Sequence, residues 1–349
     1  MVHGKFPRPR IGLSRCIEID HCRYDGEMIR SELVRRLMEH ADVVPVCPEM
    51  EIGLGVPRDP IIIVLDGGRR LVQPSTGRDL TEAMGSFTAS FFERLGEVDG
   101  FVLKSRSPSC GVHDARICSE LQDGSLVHGS GMFGREVVRR LGGIPVEDEA
   151  RLRNTGQAEH FLTRAFTLRA FRELGRDAER SALLDFHRRN KLLLRAYSRI
   201  ELGHLERILA GAAGDDLRTM HNRYSAHLKM ALSRPPRRSN AAHVLMSVFD
   251  HVSEGLDRGE KELFLQYVEL YRDARRSLGA CTSLMRHLLE RSGASHLTDQ
   301  TIFEPFPREI LPTAAPSPEA LGSMQGREHT AKGRGPASRQ DYRPVSRCI

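Results

Sequence analysis

The 349-residue sequence has no apolar run long enough to cross a bilayer. Its start, MVHGKFPRPRIGL, is basic and proline-containing, with no apolar segment of signal-peptide type behind it. Both absences predict a cytoplasmic chain without a membrane partner. In that compartment the seven cysteines are not expected to form a disulfide framework. The short C-x-x-C repeats of zinc ribbons and bacterial ferredoxins are missing as well, so spacing alone separates neither zinc from iron-sulfur nor ligand from bystander. Any thiols that meet in space become candidates for metal binding or catalysis. The formal charge of +6 favours an anionic partner such as nucleic acid, though only mildly.

What is present begins with residues 101–111, FVLKSRSPSCG, a short apolar run that turns abruptly to Ser, Arg, Pro and Gly and delivers Cys110 beyond a strand end. The pattern recurs. Residues 11–13 run into Ser14-Arg15-Cys16, and residues 43–46 into Cys47-Pro48-Glu49. Between them, Ile29, Leu33, Val34, Leu37 and Met38 recur at helical spacing over 28–41, so a βαβ unit with a right-handed crossover is expected. Parallel strands bring their carboxyl ends to one sheet edge, where open α/β sheets bind ligands, and Cys16, Cys47 and Cys110 are expected to converge there. Residues 61–65 and 70–73 read as a hairpin about Asp66-Gly67-Gly68 that edges the sheet or covers the site. A helix over 79–97 leads into the 101 strand. Residues 111–134, rich in Gly, Ser and His, read as an active-site loop, followed by a helix over 132–141 and a last strand at 144–146. The result is a Rossmann-like α/β domain with a mostly parallel sheet over 10–150, after a basic leader at 1–9.

Three thiolates at strand ends would leave a bound metal or cluster one open position for a substrate. Cys22, placed toward the turn before Asp25-Gly26, stays open as a fourth ligand, and Cys118, Cys281 and Cys348 carry no clustering argument. Glu49 is a candidate general acid or base, Ser107 and Ser109 are candidate hydrogen-bond donors or proton relays, and Lys104 and Arg106 could hold an anion. Equally, Glu49 could cap a helix and the serines could satisfy turn amides.

Taken together, LSRC ending at Cys16, CRYDG at Cys22, VCPEM around Cys47 and KSRSPSCG ending in Cys110–Gly111 resemble the thiouracil desulfidase (TudS) family over about 10–146. The resemblance implies a 4Fe-4S cluster held by Cys16, Cys47 and Cys110 with one open iron, and acid/base roles for Glu49 and Ser107. Arg15 stands where that family commonly has a small residue, and Ile17-Glu18-Ile19 replaces its usual leucine- and glycine-containing turn. The implied chemistry is redox-neutral: a soft thiocarbonyl sulfur seeks the open iron, water activated by Glu49 adds to the carbon, and sulfide leaves.

From 154 to about 289 strand alternation disappears and seven helical patterns follow one another, so an all-α C-terminal domain is expected over 154–312. Basic and aromatic residues interleave at 186–191 (with Arg188, Arg189 and Lys191), 221–224, 234–238 and 271–276, patterns that suit a phosphate backbone or a solvated helix face. FHRRNKLLLRAYS, NAAHVLMSVFDHVSEGL and DQTIFEPFPREIL resemble the helical domain of the two-domain RudS/YbgA-type family, which implies tRNA 4-thiouridine desulfidation with the helical domain presenting tRNA; residues 277–283 depart from its form. Two other readings stay open: a desulfidase of free thiouracil or thionucleosides whose helical domain serves stability or a homodimer, and a non-catalytic RNA-associated Fe-S or zinc protein. Beyond about 313 the composition predicts a disordered tail.

Overall fold

The computed structural model describes residues 6–65, 67–119, 125–175, 179–211 and 216–312. The expected tail at 313–349, with Cys348, and the first five leader residues lie outside them. Residues 6–9 are bound into the fold: Phe6 meets Phe166 edge-on at 6.1 Å, and Arg8 binds the Asp42 carboxylate and the carbonyls of Glu39 and Ala41.

In the N-terminal half, β1 (Arg10–Ser14) is followed by α1 (Glu32–His40), β2 (Asp42–Val46) and the single turn α2 (Pro48–Glu51). The helix α1 starts later than its apolar periodicity, because Ile29 is taken up in a parallel bridge with Ile17. Then come β3 (Ile62–Leu65), β4 (Arg69–Gln73), β5 (Arg78–Asp79), α3 (Thr81–Leu95) and β6 (Gly100–Leu103). After β7 (Ala115–Ser119) and β8 (Ser125–Gly129) the unit closes with α4 (Met132–Arg140) and β9 (Val146–Asp148).

Two sheets result. The first, in the order β2-β1-β6-β9, is parallel throughout. The chain leaves β1 toward β2 on one side and returns as β6 on the other, so the crevice beyond the carboxyl ends of β1 and β6 is a topological switch point. The second sheet, β5-β4-β3-β7-β8, pairs antiparallel except between β3 and β7. The hairpin β3-β4 therefore belongs to a sheet of its own, and the expected loop at 111–134 is corrected to a second hairpin. Within β7, Ala115 and Ile117 are buried and Arg116 is exposed. That is strand alternation, which the surrounding Gly, Ser and His disguise.

The second half is helical: α5 (Thr155–Glu173), α6 (Arg180–Tyr197), α7 (Arg199–Ala210), α8 (Leu217–Ala231), α9 (Arg238–Val252), α10 (Arg258–Arg272), α11 (Leu278–Ser292) and the turn α12 (Ser295–Thr298). Helix starts follow ordinary capping chemistry. Asn154, Ser198, Asp216, Asp257 and Ser277 each accept an amide from the first turn of the helix that follows, and Asp257 with Glu260 completes a capping box.

The two halves share a core. Ala158, Phe161, Leu162, Ala165 and Phe166 of α5, with Phe306 and Ile310 from the chain after α12, pack into the cluster that holds Ile11, Leu13, Cys16, Cys22 and Cys47. Arg172 of α5 also reaches across to the buried Asp99 carboxylate at 2.6 Å, which accepts the Arg10 amide as well.

Candidate metal centre and its acid/base neighbours

Three adjacent parallel strands deliver the three expected cysteines. Ser14 is in register with Val46 at the ends of β1 and β2, and the Arg15 amide continues the pairing to the Val46 carbonyl at 2.8 Å. Cys16 and Cys47 thus leave the sheet side by side. Cys110 follows β6 through a tight loop in which the Gly111 amide binds the Ser107 carbonyl. That loop is clamped to the start of α4: the amides of Gly131, Met132 and Gly134 donate to Gly111, Pro108 and Ser109 carbonyls at 2.8–2.9 Å. So close an approach requires glycine. A Cβ on Gly134 would lie 2.4 Å from the Gly111 oxygen and 2.6 Å from that of Cys110.

All three thiols are free and buried, and so is Cys22. The chain folds the Cys22 turn back onto the site, so that the Cys47 sulfur lies 3.9 Å from the Cys22 carbonyl and the Cys22 thiol contacts those of Cys16 and Cys47. This brings to the site a residue that the sequence had placed in a turn. The Cys22 thiol is raised first by its bonded neighbour Cys16 and then by burial, against lowering contacts from Cys47 and Arg15. The Cys47 thiol is pushed far up, first by Cys22 and then by burial, and burial does the same to Cys110 against the hydroxyls of Ser14 and Ser107. Thiols so packed keep their protons unless a cation replaces them.

The spacing speaks to the kind of cation. Thiolates around a single tetrahedral ion at about 2.3 Å stand less than about 4 Å apart. Among the described residues these sulfurs do not form a close group of three or more ligand atoms of the kind that holds a single ion. A soft, buried and wider donor set fits a polynuclear metal-sulfur centre better than one ion. Arg15, whose side chain contacts Cys22 and pairs with Asp20 at 3.2 Å, sets a positive charge beside thiolates that would otherwise be uncompensated.

Glu49, in the first turn of α2, sits next to this set. Its Oε1 accepts the Ser109 hydroxyl at 2.9 Å, and its Oε2 accepts both Nε and Nη2 of Arg58 at 2.9 and 2.6 Å. The Arg58 side chain is only 4 % exposed and also binds the carbonyls of Gly55 and Cys22. Sequence reading missed Arg58. It also missed Ser14, whose hydroxyl reaches Cys110 and accepts the Lys104 amide. The two serines divide their work: Ser109 bonds Glu49, while the Ser107 hydroxyl accepts the amides of Ser109 and Cys110 and touches the Cys110 thiol.

The expected anion holders fare differently. Lys104 has its ammonium held at 2.8 Å by the buried Glu149 carboxylate and also bonds Ser105, because a buried carboxylate needs a counter-charge. Arg106 is exposed in a left-handed turn with φ of 58°. Arg188 and Arg189 pair with Asp185 on their own helix, and Lys191 pairs with Glu206. Those three cations are half-neutralised helix-face residues rather than a free basic surface.

A parallel sheet with soft thiols, a carboxylate and serines at its switch point makes a candidate metal centre in an α/β unit, carried here in one chain with a helical unit. Residues 11–149 match the family described as 2-thiouracil desulfurase, and residues 191–307 match a protein of unknown function, DUF1722. The chain is 33% identical over 129 residues to the uncharacterized protein YbbK of Bacillus subtilis, covering 34% of this chain and 83% of YbbK. It is 28% identical over 151 residues to the uncharacterized protein YbgA of Escherichia coli, covering 43% of this chain and 89% of YbgA. A solved structure described as a [4Fe-4S]-dependent thiouracil desulfidase, TudS, is 29% identical and covers 42% of this chain and 94% of its own, with a TM-score of 0.34. The chain belongs to the 2-thiouracil desulfurase family, in a form that carries a C-terminal helical domain. No helix among the described residues is long and apolar enough to cross a membrane.

Proposed function

We propose that the protein hydrolyses a thiocarbonyl pyrimidine, with 4-thiouridine in tRNA as its substrate and a 4Fe-4S cluster held by Cys16, Cys47 and Cys110. The observation that carries this reading is the Glu49 carboxylate, fixed by the Arg58 fork on one oxygen and bonded to Ser109 on the other, beside the thiols. An electron-transfer centre has no need of an oriented carboxylate and a serine relay. When bound, the cluster supplies an iron to which a soft thiocarbonyl sulfur is attracted, and family membership supports that assignment.

The protein's own residues supply the rest. Arg58 holds Oε2 and so turns Oε1 toward Ser109 and the space beside the thiols. Glu49 takes a proton from water at Oε1, and Ser109 passes a proton between that oxygen and the substrate. Ser107 and Ser14 keep Cys110 in place. The overall change, C=S plus water giving C=O plus hydrogen sulfide, balances without electron transfer.

Anaerobic purification, cluster reconstitution and incubation with thiolated tRNA, followed by nucleoside analysis, test the proposal. Conversion of 4-thiouridine to uridine is expected, and Glu49→Ala is expected to lose turnover while retaining iron. Intact 4-thiouridine with a full cluster would sink it. One observation favours a second reading: because Arg188, Arg189 and Lys191 are paired within the protein, free thiouracil or a thionucleoside is the substrate to run in parallel.

A further inference from the structure

Two of the basic and aromatic segments flagged separately in the sequence, 234–238 and 271–276, meet in one place. A cavity of about 730 Å³ in the helical half is lined by Arg238 at the start of α9, Tyr271, Arg275 and Arg276 after α10, and residues 302–306 beyond α12. We propose that this cavity binds a phosphate ester, either a backbone phosphate of the RNA or a free nucleotide. The site is distinct from the thiols, and it rests on the desulfidase reading only for RNA as the source.

Charge is the first argument. Four arginines line the cavity (Arg238, Arg275, Arg276 and Arg308) against two glutamates, Glu159 and Glu304. Glu304 is already bound to Arg286 and Arg308, and Glu159 is engaged by the Gly279 amide at 3.1 Å. By contrast, Arg238, Arg275 and Arg276 have no carboxylate partner among the described residues. This differs from Arg188, Arg189 and Lys191 of α6, each of which is paired with a carboxylate.

The arginines are also built into position. Ala274 adopts a left-handed φ of 63°, and the amides of Arg275 and Arg276 both bind the Leu270 carbonyl, which sets the two side chains together at the cavity wall. Arg276 lies 4.0 Å above the Tyr267 ring, and its Nε is buried without a hydrogen-bond partner. Arg238 lies over Tyr271 at 5.4 Å and donates to the Tyr271 carbonyl at 2.7 Å. Aromatic support and a carbonyl leash leave most guanidinium donors for an outside acceptor, and Arg suits phosphate through its planar fork. The first turns of α5 and α11 also face the cavity, adding the positive ends of two helices.

The cavity connects to the thiols through one segment. Phe306 and Leu311 line the cavity, and the same two residues pack with the core that includes Cys16, Cys22 and Cys47. A ligand anchored here is held on the side of the helical unit that meets the metal centre.

The test uses the full-length reconstituted protein and a fluorescein-labelled tRNA transcript lacking thiouridine, read by anisotropy, with UMP as competitor. Arg275→Gln together with Arg276→Gln is expected to weaken binding at least ~tenfold and to lower the salt dependence by about one to two counterions. The paired Arg258→Gln serves as control and is expected to stay within ~twofold, since exposed paired charges contribute little. Displacement by UMP identifies a free nucleotide as sufficient; none identifies the polynucleotide backbone. Arg275→Gln alone, at an exposed side chain, with unchanged cluster absorbance and helical circular dichroism, separates lost binding from lost fold. Wild-type affinity and salt slope in the variants, or no binding of either probe by the wild type, would overturn the proposal. Because the transcript carries no sulfur, lost binding in the variants alongside an inactive wild type would keep this site and refute the desulfidase. Unchanged binding alongside normal turnover would do the reverse.

Discussion

Replacing Arg58 by methionine keeps the unbranched stem of the side chain and removes its guanidinium fork. In the native protein that fork serves three acceptors: Glu49 through two nitrogens at 2.9 and 2.6 Å, the Gly55 carbonyl at 2.7 Å and the Cys22 carbonyl at 3.0 Å. Breaking a buried ion pair by removing one partner costs about 3–5 kcal/mol, because the remaining charge is left without compensation. Glu49 is 14 % exposed and can recruit some water, so the lower end of that range is expected. Denaturant unfolding of Arg58→Met under anaerobic conditions measures it. Turnover reports the second consequence. A carboxylate free to rotate loses its alignment, and a misplacement of about 1 Å lowers the rate by roughly 100-fold, mainly in kcat rather than KM. If Arg58 acts through Glu49, Arg58→Met combined with Glu49→Gln is no slower than Glu49→Gln alone, since the second change removes what the first would have spoiled. Arg58→Lys, a point charge without a fork, falls between wild type and Arg58→Met. Activity within threefold of wild type in Arg58→Met, or rate losses that multiply in the double variant, would refute this positioning role.

Gly134→Ala forces a Cβ against the Gly111 and Cys110 carbonyls, so iron content is expected to fall while helical circular dichroism persists; full iron loading would show that the clamp on α4 does not position Cys110. Cys16→Ser, Cys47→Ser and Cys110→Ser are each expected to lose iron, whereas Cys281→Ser, whose sulfur bonds the Tyr267 carbonyl far down the chain, is expected to keep it; equal iron in all four would sink the ligand set. Cys22→Ser is expected to retain iron with a shifted cluster absorbance, and a loss as deep as in the other three would make Cys22 a ligand. His160 titrates in acid: burial first and the Arg164 charge second push its imidazole down to about 3, from near 6.5 when unfolded. Between those values the unfolded chain binds a proton that the folded chain refuses, so this contribution is whole above pH 6.5 and is lost as pH falls toward 3, by at most about 1.4 kcal/mol per pH unit. His160→Gln is expected to flatten the pH dependence of stability by one proton, and parallel curves for variant and wild type would contradict it.

How far the site can be read from sequence depends on whether its cause is local. Cys16, Cys47 and Cys110 are legible because each ends a short apolar run, and a βαβ alternation carries strand ends to a common edge. Glu49 follows from its place two residues beyond Cys47. Arg58 does not: nothing near it distinguishes a buried arginine from a solvated one, and its partner is fixed by the fold of the 52–58 segment. Cys22 fails for the same reason, since only the return of its turn onto Cys47 brings it to the site. The pairing of Arg188 and Arg189 was legible, because Asp185 stands three and four residues before them, the spacing at which helical side chains meet. The hairpin β7-β8 was obscured by composition, as Gly, Ser and His outweighed a brief alternation. The phosphate cavity needs three distant segments, of which 234–238 and 271–276 each read alone as an ordinary basic stretch and 302–306 carries no basic residue at all.

The shared core also bears on how the two halves can be separated. Composition divides the chain near 154, yet α5, immediately beyond, contributes Ala158, Phe161, Leu162, Ala165 and Phe166 to the cluster containing Cys16, Cys22 and Cys47. Burying one large apolar side chain is worth about 1.5–3 kcal/mol, so removing Phe161, Leu162 and Phe166 alone forfeits roughly 5–9 kcal/mol. That equals much of the typical margin of about 5–15 kcal/mol for a folded domain. Truncation at 154 would therefore disturb the thiols themselves, and loss of RNA binding or of iron in such a fragment would say nothing about which half contacts the ligand. The helical unit acts as one wall of the domain that carries the thiols. Its contribution to substrate binding has to be measured by single side-chain changes at Arg238, Arg275 and Arg276, which leave that wall standing.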